Sequence, residues 1–151
     1  MRLGFDSQNL LLVANIPVDA ARLLVLEARA SNHTFLDRLI ADWHSGANRF
    51  DAPGECYLGV YDGDTLIACG GLNRDPYIAD DPAIGRLRHL YVAEAYRGRG
   101  VGRHLVDGLI ARATAFRRIR LRATPEAVAF YERLGFLLVD ESHATHARDL
   151  G

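Results

Sequence analysis

A glycine-rich segment at the centre of the chain constrains the fold more than any other feature. Residues 97–102 read Arg-Gly-Arg-Gly-Val-Gly, after a predicted strand that ends in Leu90-Tyr91-Val92 and before apolar residues that recur at helical spacing at 103–115. Glycine permits the positive φ angles of a tight turn, so the chain is predicted to pass here from a strand directly into a helix. Successive amides at the positive end of a helix dipole form a binding site for an anionic phosphate group.

Two common nucleotide-binding loops do not fit the spacing of this segment. A Walker loop places its second glycine five positions after the first and follows it with lysine, but Arg103 stands five positions after Gly98 and the chain contains no lysine. A Rossmann loop would begin with Gly98 and Gly100 and would then meet Arg103 in place of its third glycine. The segment therefore predicts a phosphate- or pyrophosphate-bearing ligand of another class; the alternative is a tight turn with a solvated arginine face.

The distribution of charged residues agrees with an anionic ligand. The 151-residue chain has 18 basic and 19 acidic side chains, a formal net charge of −1, and every basic residue is arginine. Residues 86–122 hold ten of these arginines and two acids, Glu94 and Asp107, which gives this block a net charge of +8. Such a block is also compatible with nucleic-acid binding, which would weaken as salt rises. The overall balance argues against a polyanionic partner, so no nucleic-acid partner is predicted.

Elsewhere the pattern predicts one domain over residues 1–151, because the length fits a single core and no repeat or linker interrupts it. Strands are predicted at residues 10–16, 55–61, 65–70, 86–92, 118–123, 136–139 and 145–150. Helices are predicted at residues 20–30, 34–45, 103–115 and 125–134, and a surface loop at residues 73–83. Arginines alternate with apolar residues in the strand at 118–123, as in a half-exposed strand. This order of elements is typical of an α/β or α+β fold with a mixed sheet.

Cysteine usage and hydropathy predict the cellular compartment. Cys56 and Cys69 lie in apolar runs and lack the spacing of metal ligands, so both are expected to be reduced core residues, and no metal is predicted. The first residues lack the layout of a signal peptide, and no apolar run approaches the roughly 20 residues of a membrane span. These patterns predict a cytoplasmic protein without a membrane partner.

Two motifs resemble those of one protein family. Arg97-x-x-Gly100-x-Gly102, after the strand that ends in Leu90-Tyr91-Val92, resembles the acyl-CoA signature of the GNAT superfamily of N-acetyltransferases. The run Ala-Phe-Tyr-Glu-Arg-Leu-Gly-Phe at residues 129–136 resembles the second hallmark of that family, at a fitting distance. The resemblance implies a single GNAT-like domain with a mixed, mostly antiparallel sheet of about six or seven strands flanked by about four helices. It also implies that acetyl-CoA is the cosubstrate.

The resemblance implies roles for the residues around the first motif. The backbone of Leu90 and Val92 would hold the pantetheine arm like an extra strand, and one of their amides would polarise the thioester carbonyl. The amides that follow would bind the pyrophosphate. Thr124 stands where many members have an asparagine that contacts CoA, and it retains one hydroxyl. The implied CoA-binding residues are Leu90, Tyr91, Val92, Arg97, Gly98, Arg99, Gly100, Val101, Gly102, Arg103 and Thr124.

Tyr131, in the second motif, falls where the family commonly has a tyrosine that protonates the departing CoA thiolate. A phenol with a pKa of about 10 is suited to this step, because the thiolate has similar basicity. The alternative is an aromatic side chain on a helix face that packs in the core, which is the role expected of Phe130 and Leu134.

The usual general base of the family is missing from this sequence. Members often place glutamate or histidine four or six residues before the final valine of the strand, where this chain has Arg88 and Arg86, and arginine accepts no proton at neutral pH. His89 is adjacent, but strand alternation points it to the opposite face, which predicts a structural, helix-facing side chain. The spacing of the other histidines singles out none of them. The acceptor proton is therefore expected to leave through water or through a side chain that folding brings to the site.

Features that bear on the acceptor point in two directions. The loop at residues 73–83 has acidic residues and a tyrosine that would attract a cationic amine, unless they are simply solvated. These residues are Asp75, Asp80, Asp81 and Tyr77. Arg86 and Arg88 would instead pair with an acceptor carboxylate. The predicted function is direct transfer of acetyl from acetyl-CoA to a primary amine of a small amine, an amino-acid derivative or a protein. The alternative is a non-catalytic acyl-CoA-binding regulatory domain; a homodimer is compatible with the terminal strands.

Overall fold

The computed structural model describes residues 10–14 and 16–151, and seven strands of these residues form one sheet. The strands are β1 (Leu11–Ala14), β2 (Cys56–Asp62), β3 (Thr65–Arg74), β4 (Ile84–Val92), β5 (Arg118–Leu121), β6 (Leu137–Glu141) and β7 (Ala144–Asp149). Their order across the sheet is β1-β2-β3-β4-β5-β7-β6. The α-helices are α1 (Arg22–Ala30), α2 (Phe35–Ser45), α3 (Val101–Ala111) and α4 (Val128–Arg133). Neighbouring strands are antiparallel except β4 and β5, which are parallel. The predicted fold class is confirmed.

The helices cover the two faces of the sheet in pairs. Helices α1 and α2 pack on one face, where Leu36 and Leu39 are buried with Tyr57 of β2. Helices α3 and α4 pack on the other face, where Leu105 and Leu109 are fully buried. The apolar stripes that predicted these helices from the sequence are therefore the stripes that meet the sheet. Cys56 and Cys69 are free and buried, as predicted.

The predicted boundaries differ from the structure at helix ends and at the end of β3, which runs to Arg74 rather than residue 70. Helix α2 ends at Gly46, whose φ of 81° is the left-handed conformation that terminates helices, as predicted. Short 3₁₀ turns, Val18–Ala21 and Pro125–Ala127, precede α1 and α4, so both α-helices begin later than predicted. Residues 1–9 and Asn15, which the predicted domain and first strand include, lie outside the described residues.

A bulge interrupts the pairing of β3 with β4. Cys69 pairs with Tyr91, but Gly71 pairs with Arg88, so one residue of β3 faces two residues of β4. His89 lies in this bulge and has a φ of 58°, a left-handed conformation that is uncommon outside glycine. A bulge increases the local twist and breaks the alternation of side chains between the faces. The strict alternation used to orient His89 from the sequence is therefore wrong at this position.

Strands β4 and β5 separate soon after they meet. Their pairing is limited to Ile84 with Arg118, Gly85 with Ile119, and Arg86 with Arg120, while β5 continues its pairing with β7. Residues 87–92 keep β3 on one side, and on the other side they have an edge that β5 does not cover. This separation opens a cleft in the middle of the sheet.

Two predictions about exposure are wrong, and they share a physical cause. Asp75 belongs to the segment predicted as a surface loop, yet it is buried just beyond the end of β3. Arg120 was expected on a half-exposed strand face, yet it is 2% exposed. The two side chains form an ion pair with 2.8 Å between Arg120 Nε and Asp75 Oδ2, and this pairing allows both charges to be buried.

Candidate active site

The cleft between β4 and β5 has a volume of about 1230 Å³ and brings the two sequence motifs together. Its walls come from β4, from the glycine-rich turn, from the segment between β5 and α4, and from α4 itself. At one end the first residues of α2 and the turn before it also line the cleft, through His33, Phe35 and Arg38. Of the predicted CoA-binding residues, those that line the cleft are Leu90, Tyr91, Val92, Arg97, Gly98, Gly100, Gly102, Arg103 and Thr124. Arg99 and Val101 lie outside this lining.

The glycine-rich turn exposes backbone amides to the cleft. Gly98 and Gly100 have φ angles of 74° and 82°, and Gly100 immediately precedes the first turn of α3. A Cβ atom on either glycine would meet no atom within 4 Å, so backbone conformation rather than crowding requires glycine there. The first amides of α3 have no partner within the helix and lie at the positive end of its dipole. These groups fit a pyrophosphate.

Arg97 connects the glycine-rich turn to the end of β4. Its Nε donates a hydrogen bond to the Val92 carbonyl oxygen over 2.9 Å, and its guanidinium lies 5.3 Å from the centre of the Tyr91 ring. One of the N–H groups of Arg97, which the sequence predicted to contact CoA, is therefore already bonded within the protein. Arg103, one turn further on, is exposed and lines the cleft.

Tyr91 connects the end of β4 to helix α1. Its ring is buried, and its hydroxyl donates a hydrogen bond to Glu27 Oε2, which also accepts a 3.0 Å hydrogen bond from the backbone N–H of Glu94. Burial and the Glu27 carboxylate raise the pKa of Tyr91 to about 12, so the phenol stays protonated. Glu27 could not be predicted as a partner of Tyr91 from the sequence, because 64 residues separate the two and no motif links them.

Tyr131 lies on α4, across the cleft from β4. Its ring is 8% exposed and packs edge-on against Phe130 and Phe136, at centroid distances of 5.0 and 5.8 Å. Burial raises the pKa of the Tyr131 phenol. No hydrogen-bond partner of its hydroxyl is found among the residues described. Tyr131 is thus a packed core residue that keeps a protonated hydroxyl at the cleft, together with the core residue Leu134.

Thr124 stands between β5 and the 3₁₀ turn that leads to α4. It is exposed and lines the cleft. Its hydroxyl makes no capping hydrogen bond to the turn that follows. The neighbouring amide of Ala123 is held instead by the hydroxyl oxygen of Thr145, over 2.9 Å. The Thr124 hydroxyl is therefore available to a ligand.

His89 is half-buried at the other end of the cleft. Its ring packs edge-on against Phe50, which lies over Gly71 on the face covered by α1 and α2. Burial, followed by the charge of Arg88, lowers the pKa of His89 to about 4. The imidazole is therefore neutral at neutral pH and is too weak a base to deprotonate an alkylammonium group. His89 is helix-facing, as predicted, although the bulge rather than simple alternation places it there.

Two of the acidic residues that were expected to attract an amine are instead paired with arginines of the fold. Asp75 is fully buried between Arg120 and Arg86, and Asp81 pairs with Arg117 at 2.5 Å. Tyr77 stacks on His143, with 3.9 Å between ring centroids. Since Asp75 and Asp81 are neutralised within the fold, this interpretation is wrong for these two residues.

A known protein family matches the part of the chain that forms the cleft. The model of the Acetyltransferase (GNAT) family matches residues 19–136, which include both motifs and the cleft between them. The chain belongs to the GNAT acetyltransferase family. The resemblance inferred from Arg97-x-x-Gly100-x-Gly102 and residues 129–136 is therefore confirmed.

Curated relatives of this GNAT chain match it over part of their length. It is 33% identical over 97 residues to the uncharacterized N-acetyltransferase YjgM of Escherichia coli (strain K12), covering 60% of this chain and 56% of the relative. It is 41% identical over 63 residues to N-alpha-acetyltransferase 80 of Mus musculus, covering 40% of this chain and 20% of the relative. The matches thus span about half or less of the relatives.

Solved structures share the fold over nearly the whole GNAT chain. A protein from Exiguobacterium sp. 255-15 has a TM-score of 0.82 at 24% identity, over 93% of each chain. The phosphinothricin acetyltransferase of Sinorhizobium meliloti, solved in complex with AcCoA, has a TM-score of 0.73 at 19% identity, over 95% of this chain and 89% of that one. At these identities the likeness establishes the shared fold.

Two further findings concern the described part of the chain. Within residues 10–14 and 16–151, no helix has the length and apolar character needed to cross a bilayer. Within the same ranges, no cluster of three or more His, Cys, Asp or Glu side chains is arranged to hold a metal ion.

Proposed function

We propose that this GNAT chain catalyses direct transfer of an acetyl group from acetyl-CoA to a primary amine. The observation that carries the proposal is the separation of β4 from β5, which leaves the edge of residues 87–92 open between the glycine-rich turn and Tyr131. An open strand edge suits a pantetheine arm, whose amides can pair with it as a further strand would. The S. meliloti neighbour was solved with AcCoA on the same fold, which supports this choice of cosubstrate.

Each part of the cleft has a distinct task in binding. The amides at Gly98–Arg103 and the dipole of α3 would hold the pyrophosphate, with Arg103 adding charge. The backbone of Leu90 and Val92 would hold the pantetheine arm. When bound, acetyl-CoA supplies an activated thioester carbon. An amide of Leu90 or Val92 donates a hydrogen bond to the thioester oxygen, where negative charge develops during the attack.

Proton transfers complete the reaction. The neutral amine forms the new C–N bond, and the C–S bond of the thioester breaks. Tyr131 donates its phenolic proton to the departing thiolate, and solvent then reprotonates it. The amine proton passes to water, because Arg86 and Arg88 accept no proton and the pKa of His89 is about 4. No covalent acyl-enzyme is needed.

Replacing Tyr131 with phenylalanine tests this assignment. Tyr131→Phe removes one hydroxyl from a ring held by Phe130 and Phe136, so the fold is expected to survive. The loss of a general acid is expected to lower kcat by about 10²–10⁴, while the Kd of CoA measured by calorimetry stays within twofold of wild type. Tyr61→Phe, on β2 outside the cleft, is the matched control and should leave kcat unchanged. If Tyr131→Phe retains more than half of the wild-type kcat, Tyr131 is not the acid.

A further inference from the structure

We propose that the acceptor of this enzyme is a small amine that bears a compact anionic group, such as a carboxylate, a few bonds from the reacting nitrogen. Arg38, Arg86 and Arg88 would recognise that group at the end of the cleft away from the glycine-rich turn. The inference rests on the proposed acetyl transfer and names the substrate class for the same site.

The charge of the cleft is strongly one-sided. Among the described residues that line it, one carboxylate faces a set of seven arginines, which are Arg38, Arg86, Arg88, Arg97, Arg103, Arg122 and Arg133. Glu126, the carboxylate, follows β5 and lies in the segment that leads to α4. The arginines of the turn and of the β5–α4 side lie where the phosphates of CoA are expected. CoA therefore does not account for the three arginines at the other end.

Arg88 is the best placed of these three to bind a ligand. Its side chain is partly exposed and lines the cleft, and the described residues offer its guanidinium no ion pair or hydrogen bond. Arg88 precedes Leu90 by two residues, on the other side of the bulge at His89. A side chain of this length can reach an anion that belongs to the same small molecule as an amine poised near Leu90. A free guanidinium can bind a carboxylate in a bidentate manner.

Arg86 adds a buried positive charge behind Arg88. It donates a 2.6 Å hydrogen bond to the His143 carbonyl oxygen, and its Nη1 lies 3.6 Å from Asp75 without any hydrogen-bond partner in the described structure. Asp75 is already hydrogen-bonded to Arg120 at 2.8 Å. Asp75 is thus shared by two buried guanidiniums; Arg120 has a second carboxylate partner in Glu141 at 3.1 Å, whereas Arg86 has Asp75 alone among the described residues and keeps one nitrogen without a hydrogen bond.

Arg38 approaches from the opposite wall. It lies on α2, and its partner in the fold is Asp42, one helical turn away at 3.6 Å, in a pair whose arginine side chain is 70% exposed. An exposed pair of this kind contributes at most about 1 kcal/mol, so a ligand carboxylate can compete for the guanidinium. Arg38 on α2 and Arg88 on β4 therefore line the same end of the cleft.

The same arrangement disfavours other acceptor classes. A diamine or a lysine side chain in a basic peptide would bring a second cation beside Arg88, which has no ion-pair partner among the described residues, and like charges at close range are costly. A neutral amine would leave the Arg88 guanidinium without a partner. The anionic amine both neutralises Arg88 and aligns its own nitrogen with the open edge of β4.

The test compares matched acceptors with wild-type enzyme. Glycine, alanine and phenylalanine are each paired with their own carboxamide, and 1,4-diaminobutane and aminoethylphosphonate complete the panel. Thiol release from acetyl-CoA gives kcat/KM for each, expressed per neutral amine so that differences in amine pKa do not enter. Charged hydrogen bonds of about 1.5–3 kcal/mol predict that each anionic acceptor exceeds its carboxamide by about 10–100-fold. The kcat/KM of aminoethylphosphonate shows whether the anionic group of the acceptor must be a carboxylate.

Variants of Arg88 separate recognition from catalysis. Arg88→Gln should raise KM for the carboxylates about tenfold or more, with the carboxamides and the KM of acetyl-CoA unchanged, and Arg88→Lys should restore part of the preference. Arg22→Gln, an exposed arginine at the start of α1 outside the cleft, is the control and should match wild type. Equal or better turnover of the carboxamides or the diamine overturns the inference and leaves acetyl transfer standing. Absence of thiol release with every amine overturns the acetyl transfer and the inference together.

Discussion

Arg120 Nε lies 2.8 Å from Asp75 Oδ2 in the interior of the protein, with both side chains almost entirely buried. The same arginine also bonds Glu141 Oε1 and the Ser142 carbonyl oxygen, each at 3.1 Å. These contacts tie the loop after β3 and the β6–β7 hairpin to the point where β4 and β5 separate. The ion cluster of Asp75, Arg86, Arg120 and Glu141 therefore lies where β4 and β5 separate and stabilises that end of the cleft.

Removing the central carboxylate should destabilise the fold. Asp75→Ala leaves Arg86 buried without a carboxylate partner in the described structure and Arg120 with Glu141 alone, which is expected to lower the free energy of unfolding by about 3–5 kcal/mol. Urea denaturation followed by circular dichroism measures the change. Asp80→Ala, an exposed aspartate in the same loop, should change stability by less than about 0.5 kcal/mol. Similar midpoints for both variants would show that the cluster does not stabilise the fold.

The glycine-rich turn offers a matched pair of substitutions. Gly100 and Gly63 both have positive φ angles, 82° and 60°, and a Cβ at either would meet open space. Alanine at each position should cost about 1 kcal/mol of backbone strain. Gly63 lies in the β2–β3 hairpin, so only Gly100→Ala is expected to raise the KM of acetyl-CoA, by up to about tenfold. Equal KM values for the two variants would remove the turn from cosubstrate binding.

The pH profile tests how the acceptor loses its proton. Since His89 has a pKa of about 4 and burial raises the pKa of Tyr131, neither group changes its charge near neutral pH. We expect kcat/KM to rise with pH until the amine of the acceptor is itself neutral, and the plateau should move with the acceptor's own pKa. A plateau at one fixed pH for every acceptor would contradict this account, because it would show that a group of the protein takes the proton. His33 lines the cleft, and the activity of His33→Asn would test whether it is that group.

His89 should also make stability depend on pH. Its pKa is about 4 in the folded protein and about 6.5 when unfolded, so between these values the unfolded chain binds the extra proton. Stability is therefore full above the unfolded pKa and is lost as pH falls toward the folded pKa, by about 3 kcal/mol in total. In His89→Asn, whose side chain tolerates the positive φ, this loss should vanish. Parallel stability curves from pH 4 to 7 for variant and wild type would show that His89 is not responsible.

The sequence was sufficient for the features that depend on local pattern. The end of α2 at Gly46, the apolar stripe of α3 and the turn at Gly98–Gly100 each follow from a few neighbouring residues. The same holds for Tyr131, whose place on α4 follows from its motif. These features fix the fold class and most of the cosubstrate cleft.

The missed features depend on contacts between distant parts of the chain. The pairing of Asp75 with Arg120 spans 45 residues, and that of Tyr91 with Glu27 spans 64. Local hydropathy treats Asp75 and Arg120 as surface residues, because burial of a charge depends on a partner that the pattern does not identify. The bulge at His89 arises likewise from the register of β3 against β4, which alternation in one strand cannot reveal.

Amine-dependent release of CoA thiol from acetyl-CoA tests the central claim most directly. With the panel of anionic and neutral amines, we expect thiol release that requires both enzyme and amine, with an equal amount of N-acetylated product by mass spectrometry. The result that would contradict the account is tight binding of acetyl-CoA without amine-dependent thiol release, which would make the chain a non-catalytic acyl-CoA-binding domain.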